Sequence, residues 1–165
     1  MEKTIILNDK QITQRIRRIA YEIYEANSNT EQVILAGIVG NGYILTQMLA
    51  KELEVISPLK VVLCEVKINK KEPREKITTN IPVSEYQNQS LVLIDDVLHT
   101  GTTLIYGVKH FLDVPLKQFK TVVLVDRNHK RYPIKADYKG VSLSTSLNEN
   151  VAVKFSDGKA LALLE

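Results

Sequence analysis

The sequence predicts an α/β protein of three layers around a mainly parallel sheet, with a small C-terminal β-rich appendage. Three observations lead there. Short, almost wholly apolar runs at residues 33–38, 90–94 and 120–125 read as strands buried on both faces. Between them lie stretches whose apolar residues recur at helical spacing. The two kinds of segment alternate, which is the pattern of strand–helix–strand units.

The first helix is expected to start after Asn8. That residue is a good N-cap, and Gln11 three positions on completes a capping box. Ile12, Ile16, Ile19, Ala20 and Ile23 then form one stripe, with Arg15, Arg17 and Arg18 mostly off it. A strand at 33–38 follows. Ile44, Leu45, Met48, Leu49 and Leu53 mark a second amphipathic helix, which ends before Pro58. Residues 60–67 read as another strand, with Cys64 a buried small hydrophobe. Residues 69–80 carry Lys70, Lys71, Glu72, Pro73, Arg74, Glu75 and Lys76 and little that is apolar. They read as a mobile surface loop, either an active-site lid or a solvated hairpin end. The strand at 90–94, a helix on Leu104, Ile105, Val108, Phe111 and Leu112, and the strand at 120–125 complete the alternation. The last forty or so residues break it. Residues 140–143 and 150–155 are short β-like pieces with a turn at Asp157 and Gly158, and are expected to form an antiparallel appendage.

Composition bounds the function. The chain has 165 residues, 44% hydrophobic and 25% charged, with a net charge of +3. That excludes disorder as the main state and fits one domain over residues 1–165. The single cysteine excludes an intrachain disulfide and a cysteine metal cluster. His110 and His129 have no metal-like spacing with His99, so no zinc site is expected. No run approaches the ~18 apolar residues that a membrane span requires. The N-terminus lacks the layout of a signal peptide, so a cytoplasmic location is expected. The mild positive charge permits phosphate or nucleic-acid partners without requiring them.

The chemistry concentrates where an apolar strand runs into Asp95 and Asp96, then Val97, Leu98, His99, Thr100, Gly101, Thr102 and Thr103, before a helix begins. Ligands of open α/β sheets bind at such strand ends. Gly101 permits a sharp turn and close backbone approach. The threonine hydroxyls and the unpaired amides of the helix start suit phosphate. The two carboxylates suit sugar hydroxyls or a hydrated divalent cation. Neither a Walker A loop nor a dinucleotide fingerprint is present.

This run resembles the phosphoribosyl-pyrophosphate (PRPP) binding motif of type I phosphoribosyltransferases. Residues 125–140 and 151–155 are similar to the bifunctional pyrimidine operon regulator/uracil phosphoribosyltransferase family. The resemblance spans nearly the whole chain, with a gap around residues 67–80. It implies a transferase of nucleotide metabolism and pyrimidine salvage, which moves the phosphoribosyl group of PRPP to a nitrogenous base, with uracil the candidate, and releases pyrophosphate. Asp95 and Asp96 would hold the ribose hydroxyls with Mg²⁺ nearby, bound through water. Thr100, Gly101, Thr102 and Thr103 would cradle the 5′-phosphate. Val39, Gly40, Asn41 and Gly42 would face the pyrophosphate, and Asp126, Arg127, Asn128 and His129 would lie beside the base. A homo-oligomer, a dimer or higher, is implied as well.

The chain departs from that family where charge matters. Val39 and Asn41 stand where the pyrophosphate loop carries Lys and Arg, Thr102 where the main motif carries Arg, and His99 where it carries Tyr. Lys67, Lys70, Lys71 and Arg74 are the loop cations that would compensate. If they do not, turnover is low and a rival reading gains: a nucleotide-sensing, RNA-binding regulator with Arg15, Arg17 and Arg18 on its RNA face. His99 has two readings. It handles the base proton, as an imidazole titrating near neutral pH can, or it only caps and packs.

Overall fold

The structure is a computed structural model that describes residues 3–144 and 149–165. Its elements run β1 (Thr4–Leu7), α1 (Asp9–Ala26), β2 (Gln32–Ile38), α2 (Asn41–Ile56), β3 (Lys60–Lys67), β4 (Thr78–Thr79), α3 (Val83–Tyr86), β5 (Ser90–Leu98), α4 (Thr102–Phe111), β6 (Gln118–Asp126), β7 (Tyr138–Ser142), β8 (Val151–Ser156) and β9 (Lys159–Leu164). The main sheet has the order β4-β3-β2-β5-β6-β7. All its pairings are parallel except the short β3–β4 hairpin. β5 lies at its centre, with β2 and β6 on either side.

The period of two along each strand sorts the core into two layers. Val33 and Leu35 of β2, Val92 and Ile94 of β5, and Val122 and Leu124 of β6 pack with the apolar stripes of α1 and α2. The alternate residues Ile34, Ala36, Leu91, Leu93 and Val123 pack on the other face, with Leu104 and Phe111 of α4 and Tyr86 of α3. These are the three layers expected from the alternation. Cys64 is buried, and burial pushes its thiol up to about 12. No helix among the described residues is long and apolar enough to cross a membrane.

The capping box forms as expected. Asn8 accepts from the Gln11 amide and Gln11 from the Asn8 amide, each at 2.9 Å. The appendage is an antiparallel sheet of order β1-β9-β8, so the N-terminal strand belongs to it too. Asp9 joins it to the main body by accepting the Ala160 amide at 2.8 Å.

One expectation is corrected. Residues 140–143 do not join the appendage, because Tyr138–Ser142 pairs in parallel with β6 as an edge of the main sheet. Thr121 and Asp137 lock this register through backbone and side-chain bonds of 2.9–3.2 Å. Arg18 then covers the open edge, donating to the carbonyls of Lys139 and Gly140 at 2.8 and 2.9 Å. An edge strand leaves such carbonyls unpaired, and covering them blocks pairing with another chain. Arg18 also pairs with Glu22. It therefore clamps the sheet edge while remaining exposed.

Replacing Asn8 with Ala removes one half of the capping box and is expected to lower stability by about 1 kcal/mol. Urea unfolding checks this, and an unchanged midpoint contradicts it.

Candidate functional site

The site lies where β5 leaves the centre of the sheet. Asp95 is 3% exposed. Its Oδ1 accepts the Asp96 amide at 2.9 Å. Across from it begins α2, and a Cβ on Gly42 would sit 2.9 Å from Asp95 Oδ1. A side chain at position 42 would displace the carboxyl group. Gly40 makes this approach possible by turning the chain at φ 92° and ψ −135°, a conformation open to glycine alone.

Burial pushes Asp95 up to about 7. Lys70 opposes that rise and the neighbouring Asp96 adds to it. The Lys70 ammonium reaches Asp95 Oδ2 at 3.6 Å from the segment joining β3 to β4. That segment is a hairpin end, with Val66 opposite Thr79 and Lys67 opposite Thr78, and it also reaches the site. Residues 69–80 are thus a hairpin end that borders the site.

Asp96 is half-buried. Its Oδ2 accepts from Asn41 Nδ2 at 3.2 Å, and the same amide nitrogen donates to the Val153 carbonyl at 2.7 Å. Asn41 therefore ties the acidic pair to the appendage. Val39, by contrast, is 37% exposed, and its amide continues the strand pairing by donating to the Val66 carbonyl at 2.9 Å.

The threonine loop follows. Gly101 has φ 88°, in the left-handed region, and a Cβ there would meet Ile134 at 2.5 Å. Thr100 and Thr102 share a hydroxyl–hydroxyl bond of 2.8 Å, and α4 begins at Thr102. Its first amides have no partners within the helix, as at any helix start. The loop is braced from behind, because the Thr100 carbonyl accepts from the amides of Arg131 and Tyr132 at 2.8 and 3.1 Å.

A cavity of about 240 Å³ connects these groups, lined by Lys70, Asp95, Asp96, His99, residues 100–103 and Val151. A second hollow of about 530 Å³ has Lys70, Lys71 and Arg74 on one side and Thr100, Thr102 and Thr103 on the other. Lys67 lines neither. Three of the four loop cations thus border the threonine loop, and only Lys70 also reaches the acidic pair.

Residues 126–129 do not line the cavity and meet it through His99, which Arg127 contacts. Asp126 is buried. It accepts the Asn128 amide at 2.9 Å and lies near the ammonium groups of Lys130 and Lys139, at 3.4 and 3.5 Å. Its carboxylate shapes the turn, in which Asn128 takes φ 62°. Arg127 reaches back to His99, with Nη1 3.0 Å from Nδ1, and also donates to the Glu149 carbonyl. Burial, followed by the Arg127 charge, holds the His99 imidazole below its ordinary value.

The structure thus brings together Asp95, Asp96, His99, Asn41, Lys70 and residues 100–103. It leaves Val39, Lys67 and residues 126–129 outside the cavity lining. Sequence reading missed the Asn41 bridge, the contribution of Val151 and Val153 from the appendage, and the Arg127–His99 contact. All three join residues far apart in the chain.

Comparison with known proteins gives consistent results. A family described as the phosphoribosyl transferase domain matches residues 3–157. The chain is 35% identical over 167 residues to the protein named Bifunctional protein PyrR of Bacillus subtilis (strain 168), covering 94% of this chain and 92% of that one. It is 33% identical over 164 residues to the protein of the same name from Streptococcus thermophilus (strain ATCC BAA-491 / LMD-9), covering 96% and 95%. The fold matches that of the hypoxanthine phosphoribosyltransferase of Trypanosoma cruzi with a TM-score of 0.79, at 18% identity, over 96% of this chain and 95% of that one.

The environment of Asp95 sets a pH signature. Unfolded, the carboxyl group ionises near its ordinary 3.8, and folded, near 7. Between those values the folded state holds the extra proton, so the contribution of Asp95 to stability falls as pH rises from about 4 to about 7 and is level above. Asp95→Asn lacks this fall and is expected to exceed the parent by a few kcal/mol above pH 7 in urea unfolding. Parallel pH profiles for the two proteins contradict the assignment.

Proposed function

This chain belongs to the phosphoribosyl transferase family, and from that premise we propose that it transfers the 5-phosphoribosyl group of PRPP to uracil and releases pyrophosphate. The observation that carries the reading is the continuity of one cavity from the acidic end of β5 to the threonine loop at the start of α4. One end offers carboxylates to ribose hydroxyls, the other offers amides and hydroxyls to a phosphate.

In the reaction a base nitrogen gives its electron pair to the anomeric carbon, the carbon–oxygen bond breaks with its electron pair leaving on pyrophosphate, and the base N–H proton passes to solvent water. The transition state is oxocarbenium-like, so the protein acts by positioning and by stabilising the leaving charge. Thr100, Thr102 and Thr103, with the first amides of α4, hold the 5′-phosphate. Asp96 orients the sugar while Asn41 keeps its carboxylate in place. Lys70, Lys71 and Arg74 supply positive charge from the hairpin that borders the cavity. The donor set suits a hydrated hard cation: two adjacent carboxylates, and among the described residues no cluster of three ligating side chains. Asp95 and Asp96 would hold Mg²⁺ through its water shell, and its charge would assist departure of the pyrophosphate. The backbone of residues 126–129 lies beside the base, since the Asp126 carboxylate is engaged in its own turn.

The second reading, a regulator that binds RNA, draws on the neutral residues at positions 39, 41 and 102 and on the resemblance to the bifunctional family. Its basic face is narrower than the sequence suggests, because Arg18 is engaged at the sheet edge. On this reading RNA binding persists without turnover. Absence of RNA affinity at ~50 mM salt, where phosphate contacts are strongest, contradicts it.

Pyrophosphate release from PRPP over a panel of bases tests the first reading, with uracil expected to give the fastest release and an equal rate with no base contradicting it. Asp96→Asn is expected to weaken PRPP by about tenfold or more and inorganic phosphate hardly at all, since only the sugar and cation require the carboxylate. Equal losses contradict that division. Deleting residues 70–76 is expected to abolish turnover while phosphate binding persists. A deletion variant that turns over at the parent rate shows that the loop cations are not needed.

A further inference from the structure

Arg127 determines how His99 can hydrogen bond. A guanidinium has five donors, no acceptor and a permanent charge. Across the 3.0 Å contact between Arg127 Nη1 and His99 Nδ1, only the ring nitrogen can therefore accept. Nδ1 presents its lone pair to Arg127, and the proton of the neutral ring sits on Nε2. A proton on Nδ1 would set two donors face to face beside a fixed charge. Arg127 is itself anchored, because its other terminal nitrogen donates to the Glu149 carbonyl and its backbone amide donates to the Leu98 carbonyl at 3.2 Å. The ring lines the cavity with Asp95, Asp96 and Val151.

We infer that His99 meets the base as a hydrogen-bond donor through Nε2–H, so that the site selects a base presenting a carbonyl oxygen or bare ring nitrogen there, and that Arg127 is the positioning residue that holds this tautomer. The inference rests on the phosphoribosyl reading of the cavity. It replaces the proton-handling role that a titrating imidazole suggests, since the lone pair that would take the proton is occupied. A carboxylate in the same place would accept from an N–H on the base. His99 instead meets an N–H donor to donor, and a buried donor left without a partner is penalised. Uracil, with two carbonyl oxygens, meets the requirement.

Two measurements test this. The first needs no ligand. The chain has three histidines, so ¹⁵N–¹H correlation spectra can resolve each ring. His99 is expected as a neutral ring protonated on Nε2 at pH 7, and Arg127→Met is expected to release it into a mixture of tautomers. A parent His99 protonated on Nδ1, or on both nitrogens, overturns the inference.

The second measurement compares uridine 5′-monophosphate with ribose 5-phosphate. His99→Phe is expected to weaken the nucleotide by about tenfold and leave ribose 5-phosphate within about twofold. His99→Gln, whose amide keeps a donor near the Nε2 position, is expected to restore most of the loss. Equal nucleotide affinity for the parent and His99→Phe overturns the role of His99 alone, as do equal losses for the two ligands. A parent protein that binds neither ligand overturns the phosphoribosyl reading and the base-reading role with it.

Discussion

The burial of one carboxyl group at the end of the central strand organises the site. Asp95 lies where β5 emerges between β2 and β6, closed in by the start of α2 and faced by Lys70. An ionised carboxylate in such a place is unfavourable unless a cation or hydrogen bonds meet it. That requirement accounts for the absence of a side chain at Gly42, for the approach of Lys70 from the β3–β4 hairpin, and for the upward push of burial on the Asp95 carboxyl group. It also separates two adjacent residues of like chemistry. Asp95 is buried and holds its proton more tightly than an ordinary carboxyl group, while Asp96 is half-buried, bonded to Asn41 and available to a ligand.

Around that centre the site divides into ends of opposite character. The threonine loop and the first turn of α4 collect hydroxyls, amides and bordering cations, all suited to phosphate. The opposite side carries His99, which Arg127 holds from the turn that Asp126 shapes at the end of β6. The appendage closes the third side through Val151 and Val153. The antiparallel sheet is thus part of the site rather than an ornament on the C-terminus.

Local signals carried most of the fold. The Asn8–Gln11 capping box, the stripe of α1 and the apolar runs of β2, β5 and β6 depend on neighbours within one or two turns, and each forms as the spacing predicts. β1 was not legible, since Thr4–Leu7 is four residues long and its partner β9 lies near the other end of the chain. β7 reads from the sequence as part of the appendage, although it pairs with β6, the strand just before it. Its place depends on Thr121, Asp137 and Arg18, none of which marks a strand. In the site, the acidic pair and the threonine loop were readable because they are contiguous. The roles of Asn41 and His99 were not, because each is set by a distant partner: Asp96 and Val153 for one, Arg127 for the other. Asn41 reads as a missing cation in the sequence and is a bridge in the structure.

On the proposed function, one cavity takes a phosphoribosyl group, with the phosphate at α4 and the sugar at β5. A crystal structure of the protein with PRPP bound tests it most directly. The 5′-phosphate is expected within hydrogen-bond distance of the amides and hydroxyls of residues 100–103, and the ribose hydroxyls on Asp96. A 5′-phosphate seated elsewhere, with that loop unoccupied at saturating PRPP, would contradict it.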